Sequence, residues 1–425
     1  MDEYGLNHTN IIAAYAGYYK NEELLLHSSS GGVATELSEI IINHDGVVYG
    51  ATYSDDFYSA HYLRVVHTPE LSKLKGSKYV FVQKKTLYDG EWKSVYEAVC
   101  RDILAGRTVL FVGLGCDVAT LKQYCKKRNV VEDYLYTIEL LCDGVTNENV
   151  HEDYLKEIEK LHNSKVVDFT VRSKKDGWVP IYIYAKFQNE DEHTMPFYNT
   201  AYGYAFTFYK KHGCYSCRFK KNNHFADLTI GDFWGCEVGM KEYNRNGVSI
   251  IYVQTKKGMR LIEKIDRDRF RLIETDAEYA LKHNPRYISS HPVNNQWEQI
   301  DDEIKSRGLF GAYRMFSGKY YSKRMKNNEN KEIVLWGTGD CFHRLAPCVI
   351  ERGNVICAVD SNSHKWETNT EYGIACKSPD YISGKDVLVL IMVENAASVC
   401  EIANALLDMD IISFDHIENW ICYSL

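Results

Sequence analysis

Cys214 and Cys217 form a C-x-x-C pair in the stretch HGCYSCRFKKNNHFADLTIGDFWG, His212 to Gly235. Thiolates at this spacing can grip one metal centre, but a tetrahedral site needs four ligands. Two further cysteines fall where strands are expected to end, Cys116 in FVGLGCDVA and Cys142 in ELLCDGVT. In an open α/β sheet the carboxyl ends of the strands gather along one edge, and ligands bind there. The four thiols are therefore candidates for one centre. Cys125 and Cys236 are rivals that spacing alone does not eliminate.

Three other stretches carry binding chemistry. In HSSSGGVATEL, Ser29, Ser30, Gly31 and Gly32 precede an expected helix. Free backbone N–H groups there, with hydroxyls beside them, can hold a phosphate. The plainer role for Ser30 is an N-cap. In LKGSKYVFV, Gly76 permits close backbone approach, Ser77 and Lys78 supply a hydroxyl and a positive charge, and Tyr79 offers a ring for stacking. In GTGDCF, Gly337 and Gly339 match the first two glycines of G-x-G-x-x-G, and Phe342 stands where the third would be. Asp360 ends the next expected strand, at the place of a ribose-binding acid. This partial fingerprint is compatible with a nucleotide or nucleotide-sugar, or with a Rossmann-like turn that binds nothing. His27, Tyr79 and His224 are available as proton donors, though such residues more often serve surface or packing roles.

The elements that must position these groups follow from length and pattern. At 425 residues the chain exceeds one compact core and implies two or three domains. Its 45% apolar and 25% charged residues are ordinary for a globular protein. A net charge of −8 argues against a general nucleic-acid or anionic-membrane binder. No basic leader follows Met1, and the longest apolar run, VLVLIMV, is too short to span a bilayer. A cytoplasmic protein without a transmembrane segment is expected, and there 13 cysteines do not suggest a disulfide framework. Strand patterns appear at IIAAYAGYY, GVVYGATY, TVLFVG, YLYTIELLC, KVVDFTV, PIYIYAKF, HFADLTIGDFW and GVSIIYVQT, with helices between several of them. After a charged, helical stretch, EIVLWGTGD, NVICAVDSN, DVLVLIMV and DIISFDHI alternate with helices as in a parallel sheet. The expected fold class is α/β, with an α+β, mixed-sheet region over 1–290, a helical linker over 291–330 and a small Rossmann-like domain over 331–425.

Taken in order, Ser-Ser-Gly-Gly, Gly-Ser-Lys-Tyr, strand-Gly-x-x-Cys, Cys-x-Gly-Val, Arg…Gly-Trp, Cys-x-x-Cys-x-Phe-Lys and Asp-x-Thr-Ile-Gly-Asp-Phe-Trp-Gly resemble the coenzyme F-420 hydrogenase/dehydrogenase beta-subunit family. The resemblance covers about Ala14 to Ile265. It implies an iron–sulfur flavoprotein oxidoreductase with FAD and a 4Fe-4S cluster. It implies Cys116, Cys142, Cys214 and Cys217 as cluster ligands. It assigns Ser29, Ser30, Gly31, Gly32, Gly76, Ser77, Lys78 and Tyr79 to the flavin side, with Lys220 and Asp232 also lining the site.

Several residues depart from the family pattern. Gly115 replaces a proline, Asp117 a glutamine and Asp143 a histidine. Two added carboxylates are expected to make the cluster's surroundings more negative and to lower its potential. No cysteine precedes Cys100, so the N-terminal ferredoxin module of many relatives is not expected. An external electron donor, a ferredoxin-like protein or a reduced deazaflavin, is therefore expected. The C-terminal domain points to the branch associated with cell-surface polysaccharide biosynthesis, with pathway enzymes as possible partners. The competing reading is a sugar transferase, isomerase or adaptor of such a pathway that reuses the fold without redox chemistry, its four-cysteine centre then holding zinc.

Overall fold

In the computed structural model, residues 10–420 are described except positions 148, 176, 180, 295, 327, 329, 394, 395, 412, 418 and 419. The chain divides into two compact units, Met1–Leu309 and Phe310–Leu425. The architecture is α/β, with large sheets of mixed direction.

The strands of the first unit are β1 (Ala13–Tyr19), β2 (Val47–Tyr53), β3 (Ala60–Val65), β4 (Val82–Gln83), β5 (Lys85–Tyr88), β6 (Glu91–Ser94), β7 (Val109–Leu114) and β8 (Leu135–Leu140). They continue with β9 (Val166–Ser173), β10 (Tyr182–Phe187), β11 (Glu192–Pro196), β12 (Leu228–Asp232), β13 (Ser249–Val253) and β14 (Phe270–Glu274). Nine of them form one sheet in the order β14-β1-β13-β12-β8-β7-β2-β3-β4. Its centre is parallel: β2 with β7, β7 with β8 and β8 with β12. Its β1, β13 and β14 wing is antiparallel. Strands β9, β10 and β11 make a separate antiparallel sheet.

Side-chain alternation explains why the central strands read as continuous apolar runs. Val48 of β2 and Leu110 of β7 enter one core, with Val33, Leu37 and Ile41 of the helix Val33–Ile42. Val47, Tyr49, Val109 and Phe111 point the other way, into a core with the helices Val95–Leu104 and Gly115–Lys127. A sheet covered on both faces leaves only its strand ends open to ligands, which places the chemistry at the carboxyl edge.

The helix Val33–Ile42 is capped by Gly32 in the left-handed region (φ +91°), without a side-chain cap. Ser30 does not fill the N-cap role; its hydroxyl donates to the Val248 carbonyl at 2.7 Å. The Gly-Gly pair has a packing reason. A β-carbon on Gly31 would stand 1.9 Å from the Gly17 carbonyl oxygen, and one on Gly32 would strike the Tyr19 ring.

The second unit holds β15 (Glu332–Trp336), β16 (Val355–Val359), β17 (Thr368–Asn369), β18 (Ala375–Lys377), β19 (Val387–Ile391) and β20 (Phe414–His416), in the order β17-β18-β16-β15-β19-β20. All neighbours are parallel except β17 and β18. The charged stretch before β15 is the helix Trp297–Lys326, interrupted at Gly308 (φ +74°).

Gly31→Ala is expected to cost more than about 3 kcal/mol, because backbone rather than a flexible side chain blocks the added methyl. Gly339→Ala, with nothing within 4 Å of its β-carbon position, should shift stability by less than about 1 kcal/mol. Urea denaturation of both variants measures the contrast.

Candidate functional site

The parallel pair β7 and β8 ends in register, Leu114 opposite Leu140. Cys116 follows β7 in the first turn of the helix Gly115–Lys127, and Cys142 lies just beyond β8. Gly144, at φ +106°, turns the chain so that its N–H donates to the Cys142 sulfur at 3.2 Å. A β-carbon on Gly144 would sit 3.1 Å from Cβ and 3.8 Å from the sulfur of Cys214. Cys214 belongs to the short helix His212–Tyr215, and the backbone N–H of Cys217 is held by the Ser290 hydroxyl at 3.0 Å.

These thiols sense one another. Cys116 presents surface to solvent, yet protein crowds its thiol enough to push it up to about 12, first through burial and then through Asp117, Cys142 and Cys217, with Lys84 opposing. Cys142 is pushed up to about 11 by burial, with Cys214 and Cys217 adding to the shift and Lys220 and the Gly144 N–H opposing it. Thiols whose ionisation is opposed first by burial and then by neighbouring thiols are a donor set that a cationic centre stabilises. Among the described residues no three His, Cys, Asp or Glu side chains form a closed metal-ligating group. The four thiols are thus gathered at one place but not drawn into a coordination shell.

The rivals have other roles. Cys125 is buried against Cys100, sulfur to sulfur 3.4 Å, and Cys236 packs against the Phe233 core.

The two carboxylates beside the thiols are not free negative charges, which corrects the expectation drawn from the sequence. Asp117 accepts from Lys84 at 2.7 Å and from the Tyr62 hydroxyl at 2.8 Å. Asp143 is clamped between Lys210 at 2.9 Å and Arg286 at 2.6 Å. Burial lowers the Lys210 pKa and Asp143 opposes that shift. Lys220 donates to the Cys142 carbonyl at 2.8 Å, so it belongs to the thiol group. Gly115 also has a local cause. A β-carbon there would lie 3.1 Å from Glu139 Oε2 and 3.3 Å from Phe219 Cβ. Glu139 itself is buried, bonded through Oε1 to His224 and Thr229, which leaves His224 committed to this internal network.

A second cluster forms around Arg172, near the end of β9. Its guanidinium grips Asp232 with two bonds, 2.7 and 2.9 Å, and also donates to the Ser29 carbonyl at 3.0 Å and the Tyr79 hydroxyl at 3.3 Å. Burial works against this cation, but Asp232 and Tyr79 more than offset the penalty and hold its pKa up. Ser77 donates to the Ser29 hydroxyl at 3.2 Å, and Tyr79 stacks on Phe206 at 4.6 Å. Ser29, Ser77, Tyr79 and Asp232 are therefore brought together. Gly76 sits at the edge of this cluster, its β-carbon position 3.7 Å from the Thr170 hydroxyl. Lys78 turns away and donates to the carbonyls of Lys73, Leu74 and Lys75.

The residue types missed by pattern are Arg172's neighbours. Lys174, two positions on, donates to the carbonyls of Leu25 and Ser30 at 3.0 and 2.6 Å, and burial with the nearby Arg172 charge pushes it down to about 7. Trp178 stacks parallel to Trp234 at 5.4 Å, and its buried Nε1 finds no hydrogen-bond partner among the described residues. Arg172 near the end of β9 and Lys174 just beyond it, two residues apart in an extended stretch, were the signal available. A buried orphan donor, a buried lysine and paired rings fit a planar, anionic cofactor such as a flavin nucleotide. The clusters adjoin: the Tyr198 hydroxyl, pushed up to about 12 chiefly by burial, senses Arg172 and Asp232 from one and Asp143 from the other.

In the C-terminal unit, Gly337 takes φ +106°, and its β-carbon position lies 2.9 Å from Val393. Phe342 is wholly buried in the core, which explains its departure from the glycine pattern. Asp360 accepts from the Thr338 N–H and hydroxyl at 2.9 and 2.6 Å and from Lys365 at 3.0 Å. Its carboxylate thus already closes the turn between Gly337 and Gly339.

Residues 106–278 match the family model for the C terminus of the coenzyme F420 hydrogenase/dehydrogenase beta subunit. That segment contains all four thiols, Arg172, Lys220 and Asp232, but not the two serine–glycine stretches. No curated protein matches the chain. Among solved structures, the chain is similar to one in the F420-reducing nickel–iron hydrogenase complex from Methanosarcina barkeri, at 15% identity and a TM-score of 0.45, covering 70% of this chain and 94% of the other. Among the described residues no helix is long and apolar enough to cross a membrane.

Two outcomes follow from the buried charges. Asp143→Leu in metal-free protein should cost about 3 kcal/mol by leaving Lys210 without its carboxylate, whereas Lys210→Met, which leaves Asp143 with Arg286, should cost less than half of that. Equilibrium unfolding compares them. Lys174 binds its proton less tightly folded than unfolded, so in ligand-free protein its folded-state penalty is full below about pH 7 and is relieved as pH rises toward the usual lysine value. Stability relative to Lys174→Met should therefore climb across that window, by up to ~1.4 kcal/mol per pH unit. Denaturation of both proteins at several pH values checks it.

Proposed function

We propose that this chain is an iron–sulfur flavoprotein oxidoreductase, with Cys116, Cys142, Cys214 and Cys217 holding a 4Fe-4S cluster and the Arg172 cluster lying beside FAD. The observation that carries the reading is the gathering of four thiols from three separate segments at the carboxyl edge of β7 and β8, within the segment matched by the hydrogenase/dehydrogenase family model. When bound, the cluster would supply one-electron transfer and the flavin hydride chemistry. The chain's own residues have definable tasks. Gly144 lets the backbone and Cys214 approach closely, Gly115 leaves room for Glu139 and Phe219, and Lys220 and Lys84 offset thiolate charge. Arg172 fixes Ser29, Tyr79 and Asp232 in one arrangement. Lys174, held near neutrality, is placed to gain a proton when an anionic group arrives.

The reductant is proposed to be a separate molecule. A role in cell-surface polysaccharide synthesis is proposed for the substrate side, with the C-terminal unit as a nucleotide or nucleotide-sugar module around Gly337, Gly339 and Asp360. Binding there would require Asp360 to exchange a Thr338 bond for a ribose hydroxyl.

Anaerobic reconstitution tests the centre. About four irons and four sulfides per chain, a visible band bleached by dithionite and released FAD are expected. Each of Cys116→Ser, Cys142→Ser, Cys214→Ser and Cys217→Ser should lower iron content. One equivalent of zinc without iron or flavin would instead support the adaptor reading.

A further inference from the structure

The thiols lie near the surface, and what surrounds them is unlike the rest of this acidic chain. Phe81, 42% exposed, lies beneath the ammonium of Lys84 at 5.1 Å and that of Lys211 at 4.1 Å. Lys84 reaches the residue after Cys116, and Lys211 accepts from the Cys214 N–H through its carbonyl at 2.9 Å. On the other side, Phe219 packs beside Gly115 and meets Phe225, which is 47% exposed, at 6.3 Å. Arg218, Lys220 and Lys221 follow Cys217 without an intervening acid. Cys116, which is exposed, is thus flanked by two exposed aromatic rings and a run of cations.

Charge balance for four thiolates accounts for part of this. Lys84 and Lys220 oppose the thiol shifts directly, and Lys210 and Arg286 are matched by Asp143. It does not account for Arg218 and Lys221, which are exposed. In a chain of net charge −8, an exposed basic patch with apolar rings beside a redox-competent group has the make-up of a docking surface. Cations steer an oppositely charged partner and fix its orientation, and exposed rings supply desolvated contact.

We infer that the rim of Phe81, Lys84, Lys211, Arg218, Lys221 and Phe225 docks a small acidic electron-carrier protein over Cys116. The inference rests on the redox reading above and names its partner. The transfer is of one electron: the carrier is oxidised by one, this protein's centre is reduced by one, and no proton or bond is exchanged.

The test is binding by titration calorimetry, using an acidic 2Fe-2S ferredoxin as probe and a basic cytochrome c as counter-probe. Wild type should bind the ferredoxin, at least tenfold more weakly in 200 mM than in 50 mM salt. The pair Arg218→Glu with Lys221→Glu should weaken binding at least tenfold further while leaving iron content and circular dichroism unchanged. Arg218→Gln with Lys221→Gln should fall between, which separates a charge effect from misfolding. Cytochrome c should bind no better than to the reversed variant. A preparation whose chromophore dithionite bleaches, but whose ferredoxin binding is absent or indifferent to these substitutions, overturns the docking surface. Ferredoxin binding that is lost on charge reversal, in a protein that never takes up iron, supports the surface and overturns the redox reading instead.

Discussion

The first unit turns on one buried ion pair. Arg172 comes from the small antiparallel sheet and Asp232 from the end of a strand in the large one, and the two bonds between them tie the sheets together. Burying either charge alone would cost several kcal/mol, so each needs the other, and the pair fixes the distance between the sheets. The spare donors of the same guanidinium reach Ser29 and Tyr79. Segments far apart in sequence are thereby aligned on one side chain, which positions a site rather than merely holding a core together.

The thiol site is built on the opposite logic. Ionisation of Cys116 and Cys142 is opposed first by burial and then by neighbouring thiols. The fold brings them together by strand register and glycine turns, and it sets cations where thiolate charge would appear. The carboxylates at 117 and 143 do not undo that arrangement. Each sits in an ion pair, so it orders neighbouring cations and its negative charge is offset by them. A substitution that looks like an electrostatic change in sequence is, in the folded chain, a change in which residues hold Lys84, Lys210 and Arg286.

Much of the first unit was legible because its strands are covered on both faces and so read as apolar runs, and because cysteines at the ends of expected strands were candidates to converge at the sheet's carboxyl edge. Strands β3 and β14 and the β5–β6 hairpin were not: β3 mixes buried and half-buried residues, β14 is a half-exposed edge strand and the hairpin is mostly exposed, so none reads as an apolar run. The partners of the site were less legible than its members. Nothing in the local sequence says that Lys210 faces Asp143 or that Ser30 bonds across to Val248, because those contacts join residues brought together only by the tertiary fold. The Ser30 expectation failed for a definite reason: the helix starts two residues later, at Gly32, where a positive φ and the adjacent Tyr19 ring leave no room for a capping side chain.

The C-terminal unit shows how a partial fingerprint can arise from folding alone. A parallel strand that must turn sharply into a helix needs a residue like Gly337, where φ is positive and Val393 crowds the β-carbon position. The turn also needs its amide and hydroxyl satisfied, and Asp360 does this from the neighbouring strand. Those two demands account on folding grounds for the first glycine and the acid of a nucleotide motif, beside any role in the proposed ligand site. The third glycine, which in a dinucleotide fold allows close helix–sheet packing, is the position this unit fills with Phe342. The ring occupies the core there, so any ligand would have to be held by the turn's amides and not by close approach of the helix.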